Sequence, residues 1–246
     1  MVAAILAGGL GTRLRGQLGG TPKALHSIHG VPFISYLLDQ IDRAPVSRIV
    51  VCAGHYGDQL GRSLGQRPAA VPLVISHQCW PMGTGGALRH ALELFNADNV
   101  LVLHGDSYID TDLSRFAEWA ASRPFQSSLL LRWDERCPQS RAFEVNAAGR
   151  ITSVGEEGDE PRPAWTDSGV CSLSRAWLES LPADVPLSLE RDAFPFWMER
   201  GLGGYCVRAP FIDIGTAEGL AGAPSFFSEP RSFSQRPQAL IRASRV

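Results

Sequence analysis

The chain has 246 residues, 44% of them hydrophobic, enough to bury a sizeable core as one α/β domain. Its 23 Lys plus Arg against 25 Asp plus Glu leave a net charge of −2, which gives no bulk attraction to nucleic acid or to a membrane surface. Five cysteines, an odd number without CxxC spacing, argue against a disulfide framework or a zinc site and for reduced core thiols. The opening MVAAILAGG lacks a basic lead and reads as a first strand, and nothing else approaches membrane-spanning length. A soluble, cytoplasmic protein is expected.

Short apolar, β-rich runs at 2–6, 48–52, 73–76 and 100–103 read as buried strands. Amphipathic patterns at 33–43, 56–64 and 84–95 lie between them, with Pro32 placed where a helix accepts proline in its first turn. This alternation predicts a Rossmann-like, doubly wound sheet with right-handed crossovers. A helix over 112–121 follows, with Asp110 and Asp112 as helix-start residues. Beyond residue 125 the texture changes to a mixed sheet, with strands at 127–133, 142–145, 151–154 and 169–173 and a turn at Ala147-Ala148-Gly149. The acidic, proline-bearing stretch 156–163 reads as a surface loop. A helix at 189–200, a strand at 205–208 and a helix after Thr216 complete one domain over 1–225. Its nucleotide side is 1–125 and its partner side 126–225. The basic stretch from Ala221, and above all 226–246, reads as a solvated extension.

The segment LAGGLGTRLRGQLGGTPKAL, from Leu6 to Leu25, carries the first chemical signal, and Lys23 inside it is the sole lysine of the chain. Glycines after a first strand let backbone N–H groups approach a phosphate, although alone they fit an ordinary loop equally well. The dinucleotide fingerprint fails, because Leu14 stands where its third glycine belongs. The Walker A spelling fails as well, because Ala24 follows Lys23. Two cations remain, Arg13 and Lys23. Arginine offers a planar fork, whereas lysine offers a compact point charge suited to oxygens around one phosphorus.

These residues resemble the signature of the sugar-1-phosphate nucleotidylyltransferases. The likeness continues in order through PMGTGGAL at 81–88, LHGDSYID at 103–110, DSGV at 167–170 and FIDIGT at 211–216, so it spans roughly residues 2–220. SLERDAFP at 188–195 most resembles the D-glycero-D-manno-heptose 1-phosphate guanylyltransferases, with mannose-1-phosphate guanylyltransferases as the next neighbours. The resemblance implies the nucleotide-diphospho-sugar transferase type of fold and a transfer of GMP from GTP to a sugar 1-phosphate, releasing pyrophosphate. It implies Arg13 and Lys23 as catalytic cations, and Asp106 and Asp213 as ligands of Mg²⁺, which commonly takes one or two carboxylates with phosphate oxygens and water. It places the nucleotide against Leu6, Gly8, Gly9, Gly11, Thr12, Gln78, Gly83 and Thr84. Glycines 83, 85 and 86 would let the base lie on backbone. The guanine assignment rests on the likeness alone, because a glutamine amide can serve either pattern of base edge.

For the sugar the likeness implies Ser107, Glu156 and Gly169. Two features depart from it. Glu157 stands where relatives carry a lysine after the glutamate, and Ser140-Arg141-Ala142 replaces a Tyr-Gly. Arg141 and Arg162 are the candidate replacement cations. The partners implied are small molecules, GTP and a sugar 1-phosphate, with no nucleic acid and no membrane, and a homo-oligomer is compatible with the sequence. Three other readings stay open: a mannose-1-phosphate guanylyltransferase or other NDP-sugar pyrophosphorylase, a non-catalytic nucleotide-binding regulator, and a glycosyltransferase using Asp110-Thr111-Asp112 as its metal motif. His104, beside Asp106, is expected only to pack or hydrogen-bond locally.

Overall fold

The computed structural model describes residues 1–9, 21–54, 56–65, 70–137, 142–155 and 160–228. Strand β1 is Val2–Leu6. After a 3-10 turn at Lys23–Leu25 come the two-residue strands β2 (Ser27–Ile28) and β3 (Val31–Pro32), which pair with each other, and helix α1 (Phe33–Ile41). Then follow β4 (Arg48–Ala53), α2 (Gly57–Leu64), β5 (Leu73–His77), α3 (Gly83–His90), β6 (Asn99–His104), β7 (Ser107–Ile109) and α4 (Leu113–Ser122). The second half holds β8 (Ser127–Cys137), β9 (Phe143–Val145), β10 (Ile151–Val154), β11 (Arg162–Ser174) and α5 (Arg175–Ser180). A π turn at Leu189–Ala193, α6 (Phe194–Arg200), β12 (Leu202–Val207), β13 (Phe211–Asp213) and α7 (Ala217–Ser228) follow.

Nine strands among the described residues form one mixed sheet, running β10-β9-β11-β6-β1-β4-β5, with β8 joined to β11 and β12. The four strands β6-β1-β4-β5 are parallel, and β11 meets β6 antiparallel. This is the doubly wound α/β arrangement expected. Successive side chains of a strand point to opposite faces. On β1, Ala3 and Ile5 enter one core with α1, α2, α4 and α7, while Val2 and Ala4 enter a second core with α3, α5 and α6. Because both faces are covered, the central strands are apolar through their buried middles, as in Ile49–Ala53 and Val100–Leu103. Fully buried side chains such as Phe33, Ile34 and Phe116 each contribute on the order of 1.5–3 kcal/mol.

Several details differ from expectation. Helix α4 starts at Leu113, capped by the Asp112 carboxylate accepting from Ser114 N at 2.9 Å; Asp110 is instead buried at the end of β7. The helix expected at 84–95 stops at His90 and continues as a 3-10 turn. Arg162 and Pro163, expected in a loop, open the long strand β11, whose half-exposed first part lacks the apolar run that marks a buried strand. The short helix α5 went unread. Its Ser174 cap accepts from Trp177 N, and only Trp177 and Leu178 are buried within it. Helix α7 passes residues 221 and 225, because Ala223 and Phe227 are buried, and Phe227 stacks with Phe33, Tyr36 and Tyr108. All five cysteines are free, but Cys79 is exposed and Cys206 partly so. No helix among the described residues is long and apolar enough to cross a membrane.

Candidate active site

The carboxyl ends of β1, β4 and β6 form one rim, where open α/β sheets place ligands. Gly105 N donates to Leu6 O at 2.9 Å, which holds the turn after β6 against the end of β1. That turn carries Asp106. Strand β7 then pairs antiparallel with β13, setting Asp213 opposite Ser107, and Ile214 N donates to Asp106 O at 2.9 Å. Two aspartates 107 positions apart in sequence are thus brought together by a three-residue pairing.

Lys23 Nζ, on the 3-10 turn, donates to Asp106 Oδ2 at 3.1 Å. Gly215 N donates to Asp213 Oδ1 at 2.7 Å. A methyl group built on Gly215 would lie 2.7 Å from Asp213 Oδ1, 3.0 Å from Asp106 Oδ2 and 3.1 Å from Lys23 Nζ. The three charged ends therefore converge over one glycine, and only a residue without Cβ leaves that space open. Lys23 pairs with Asp106 and exerts only a weaker, through-space pull on Asp213. Burial, and then the neighbouring Asp106 charge, push the Asp213 carboxyl above its ordinary value, against the pull of Gly215 N–H, Lys23 and His104. This excess negative charge and hard-oxygen donor set fit a divalent cation such as Mg²⁺. No group of three or more His, Cys, Asp or Glu that could enclose a metal occurs among the described residues.

On the nucleotide side, Gly8 lies against Gly54, and a Cβ on Gly8 would come within 2.9 Å of Gly54 N and 3.4 Å of Gln78 Oε1. Gln78 follows β5, where its N donates to Ala53 O; it is buried, and its Nε2 has no hydrogen-bond partner among the described residues. Gly9 has open space beside it. Glycines 83, 85 and 86 do something other than expected. A Cβ on Gly83 would meet Leu187 O at 2.5 Å, and Gly85 N and Gly86 N both donate to Leu187 O. These glycines admit the 185–187 backbone, so their outer face is already occupied. The Thr84 hydroxyl, expected at the nucleotide, donates to Glu190 Oε2 at 2.9 Å and accepts from Leu189 N at 2.8 Å.

On the partner side, a bulge in β11 between Asp167 and Val170 places Gly169 at φ +76, where its missing Cβ clears His104 and Ser107. Asp167 accepts from Gly169 N at 2.9 Å and borders a cavity of about 790 Å³ with Glu190, Arg191, Arg150 and Phe143. Glu190 is the residue that sequence reasoning missed. Its carboxylate takes Thr84 and Ser188 hydroxyls on one oxygen, and its other oxygen stands 3.2 Å from His104 Nε2. Burial opposes the His104 charge, but Glu190, Asp167 and Asp106 overcome it and raise the imidazole to about 9. His104 is therefore tied to a residue 86 positions away rather than only to neighbours. The SLERDAFP spelling was the one available signal for Glu190, and it singled out no position. Gly11, Thr12, Arg13, Arg141, Glu156 and Glu157 lie outside the described residues. Arg162 stands exposed at the start of β11 and does not border the cavity, whereas Arg150 and Arg191 do.

Residues 3–180 match the family described as the MobA-like NTP transferase domain. The chain is 26% identical over 221 residues to D-glycero-alpha-D-manno-heptose 1-phosphate guanylyltransferase of Aneurinibacillus thermoaerophilus, covering 87% of this chain and 93% of that protein. It is 26% identical over 230 residues to mannose-1-phosphate guanylyltransferase of Mycobacterium tuberculosis, covering 88% of this chain and 61% of that one. Among solved structures, HddC from Yersinia pseudotuberculosis is similar with a TM-score of 0.80 at 29% identity, covering 92% of this chain and 98% of its own. The complex of HddC with GMP-PN gives 0.78 at 28% identity, with the same coverage.

Proposed function

The chain belongs to the MobA-like NTP transferase family, and from that premise we propose that it joins a sugar 1-phosphate to a nucleoside triphosphate with release of pyrophosphate. GTP is the proposed donor and D-glycero-D-manno-heptose 1-phosphate the proposed acceptor, giving a GDP-heptose. The convergence of Lys23, Asp106 and Asp213 over Gly215 carries this reading. The names of the two guanylyltransferases and the GMP-PN complex of HddC support guanine, and the name of the Aneurinibacillus relative supports heptose.

The attacking group, a phosphate oxygen of the sugar 1-phosphate, is already an anion, so the chain needs no general base. Its task is to hold two polyanions in line and to stabilise shifting charge. Lys23, fixed by Asp106, presents its ammonium between the sugar phosphate and the α-phosphate. Arg13 is assigned to the departing β- and γ-phosphates. Asp106 and Asp213 would hold Mg²⁺, which when bound supplies charge neutralisation to phosphate oxygens. The unpartnered Gln78 amide beside Gly8 is a ready contact for a base edge. Asp167, bordering the cavity, offers a carboxylate acceptor for sugar hydroxyls.

Pyrophosphate release tests the reading, with Mg²⁺ present and four nucleoside triphosphates crossed with heptose, mannose and glucose 1-phosphates. Release confined to GTP and the heptose supports it in full. Release with mannose 1-phosphate instead moves the substrate toward the second relative. GTP binding without turnover on any pair would sink the catalytic assignment.

A further inference from the structure

Among the described residues, most charged side chains bordering the 790 Å³ cavity are engaged, whereas the cation Arg191 and the exposed Glu199 are not. Glu190 is engaged by Thr84, Ser188 and His104. Asp167 accepts from Gly169 N. Arg150 spends its Nη2 on the carbonyls of Met198 and Glu199, holding the end of α6. Arg191 borders the same cavity, yet among the described residues only its backbone is engaged, through N to Ser188 Oγ at 3.2 Å. Its carrier is fixed on both sides. Glu190 before it is anchored as above, and Asp192 after it accepts from Ser188 N at 2.7 Å. The segment is a π turn, a geometry concentrated at functional sites. An anchored backbone thus presents, at the rim of the pocket, a guanidinium without a partner among the described residues, in a lining that also holds Asp167, Glu190 and Glu199.

Glu190 is balanced by His104, so an anionic acceptor entering the cavity meets the Asp167 carboxylate and needs a compensating cation at this end. We propose that Arg191 determines acceptor binding, its guanidinium donating to oxygen atoms of the sugar 1-phosphate. The assignment rests on the nucleotidyltransferase reading above and deepens it. Arginine suits the task, because its planar fork can span two oxygens of a phosphate or of neighbouring hydroxyls.

The test compares wild type, Arg191→Ala and Arg191→Lys as full chains, in steady-state kinetics and in calorimetric binding of the sugar 1-phosphate. Arg191→Ala should raise KM for the sugar 1-phosphate about tenfold or more, as losing a charge-assisted hydrogen bond does. KM for GTP should stay within about twofold, a split that general loosening of the fold would not produce. Arg191→Lys should recover part of the loss. Inorganic phosphate and the free sugar, used separately as competitors, distinguish phosphate from hydroxyl oxygens as the partner. An unchanged KM for the sugar 1-phosphate, or both KM values rising together, overturns the assignment. Should wild type release no pyrophosphate with any pair, the catalytic reading fails. Calorimetry then still decides this one: weaker sugar phosphate binding in Arg191→Ala upholds it, and equal or absent binding overturns it.

Discussion

Lys23 Nζ lies 3.1 Å from Asp106 Oδ2, a contact between side chains 83 positions apart that ties the turn after the glycine segment to the turn after β6. The ammonium also lies 3.1 Å from the space over Gly215. A guanidinium placed there would have to displace one of the aspartates. Lys23→Arg should therefore keep the charge and lose about a hundredfold or more in kcat, the scale of removing one charge-stabilising donor from an active site. Its Tm should shift by no more than about 4 °C. Wild-type turnover in Lys23→Arg would show that charge alone matters at this position.

Gly215→Ala probes the same space from the other side. The atoms nearest the added methyl would be the ends of Asp213, Asp106 and Lys23, which can swing away at little cost to the fold. Stability should change by about 1 kcal/mol or less, whereas turnover should fall about tenfold or more as the charged ends splay. Thermal melts and initial rates measured together check this. A large loss of Tm with turnover per folded molecule retained would contradict it.

The role proposed for Asp213 comes at a cost in stability. Its carboxyl titrates above its ordinary value, burial being the first cause and Asp106 the second. The native state therefore holds a proton more tightly than the unfolded chain does, and stability of the metal-free protein falls as pH rises through that window. Asp213→Asn keeps an oxygen for Gly215 N–H and removes the charge. It should melt higher than wild type near pH 7, be inactive, and gain less from added Mg²⁺, whose binding to the native state stabilises by mass action. Equal Mg²⁺ stabilisation of both proteins would remove Asp213 from the metal site.

The His104–Glu190 pair should give stability its own pH signature. Glu190 is lowered to about 2 from 4.5: burial opposes its charge, and His104 and Ser188 prevail. Its contribution is present above 4.5 and is lost as pH falls toward 2. His104, raised from 6.5 to about 9, contributes fully below 6.5 and loses that contribution as pH rises through 9. The pair thus stabilises most between 4.5 and 6.5. Melts of metal-free wild type and Glu190→Gln across pH 3–10 should diverge most inside that window and converge outside it. Parallel curves would mean that the pair does not titrate as a unit.

The parallel centre of the sheet was legible because strands buried on both faces read as unbroken apolar runs, as in VAAIL and RIVVCA. The first half of β11 was not, since RPAWTD is half-exposed and polar. Asp106 and Asp213 could be nominated one at a time from HGD and FIDIGT, but their meeting depends on the three-residue β7–β13 pairing, which leaves no periodicity to read. Glu190 was invisible because its partners Thr84 and His104 lie 106 and 86 positions away. The packing of glycines 83, 85 and 86 was illegible for a related reason. A glycine signals close approach without saying of what, and here one close neighbour is Leu187.

The most direct test follows the transferred group itself. The full chain is incubated with α-³²P-labelled GTP, D-glycero-D-manno-heptose 1-phosphate and Mg²⁺, and the labelled products are separated and weighed by mass spectrometry. The account predicts that the label moves into a GDP-heptose as unlabelled pyrophosphate appears, in wild type and not in Lys23→Arg. Label remaining in GTP in the wild-type reaction would contradict it, as would label leaving as free GMP without a sugar attached.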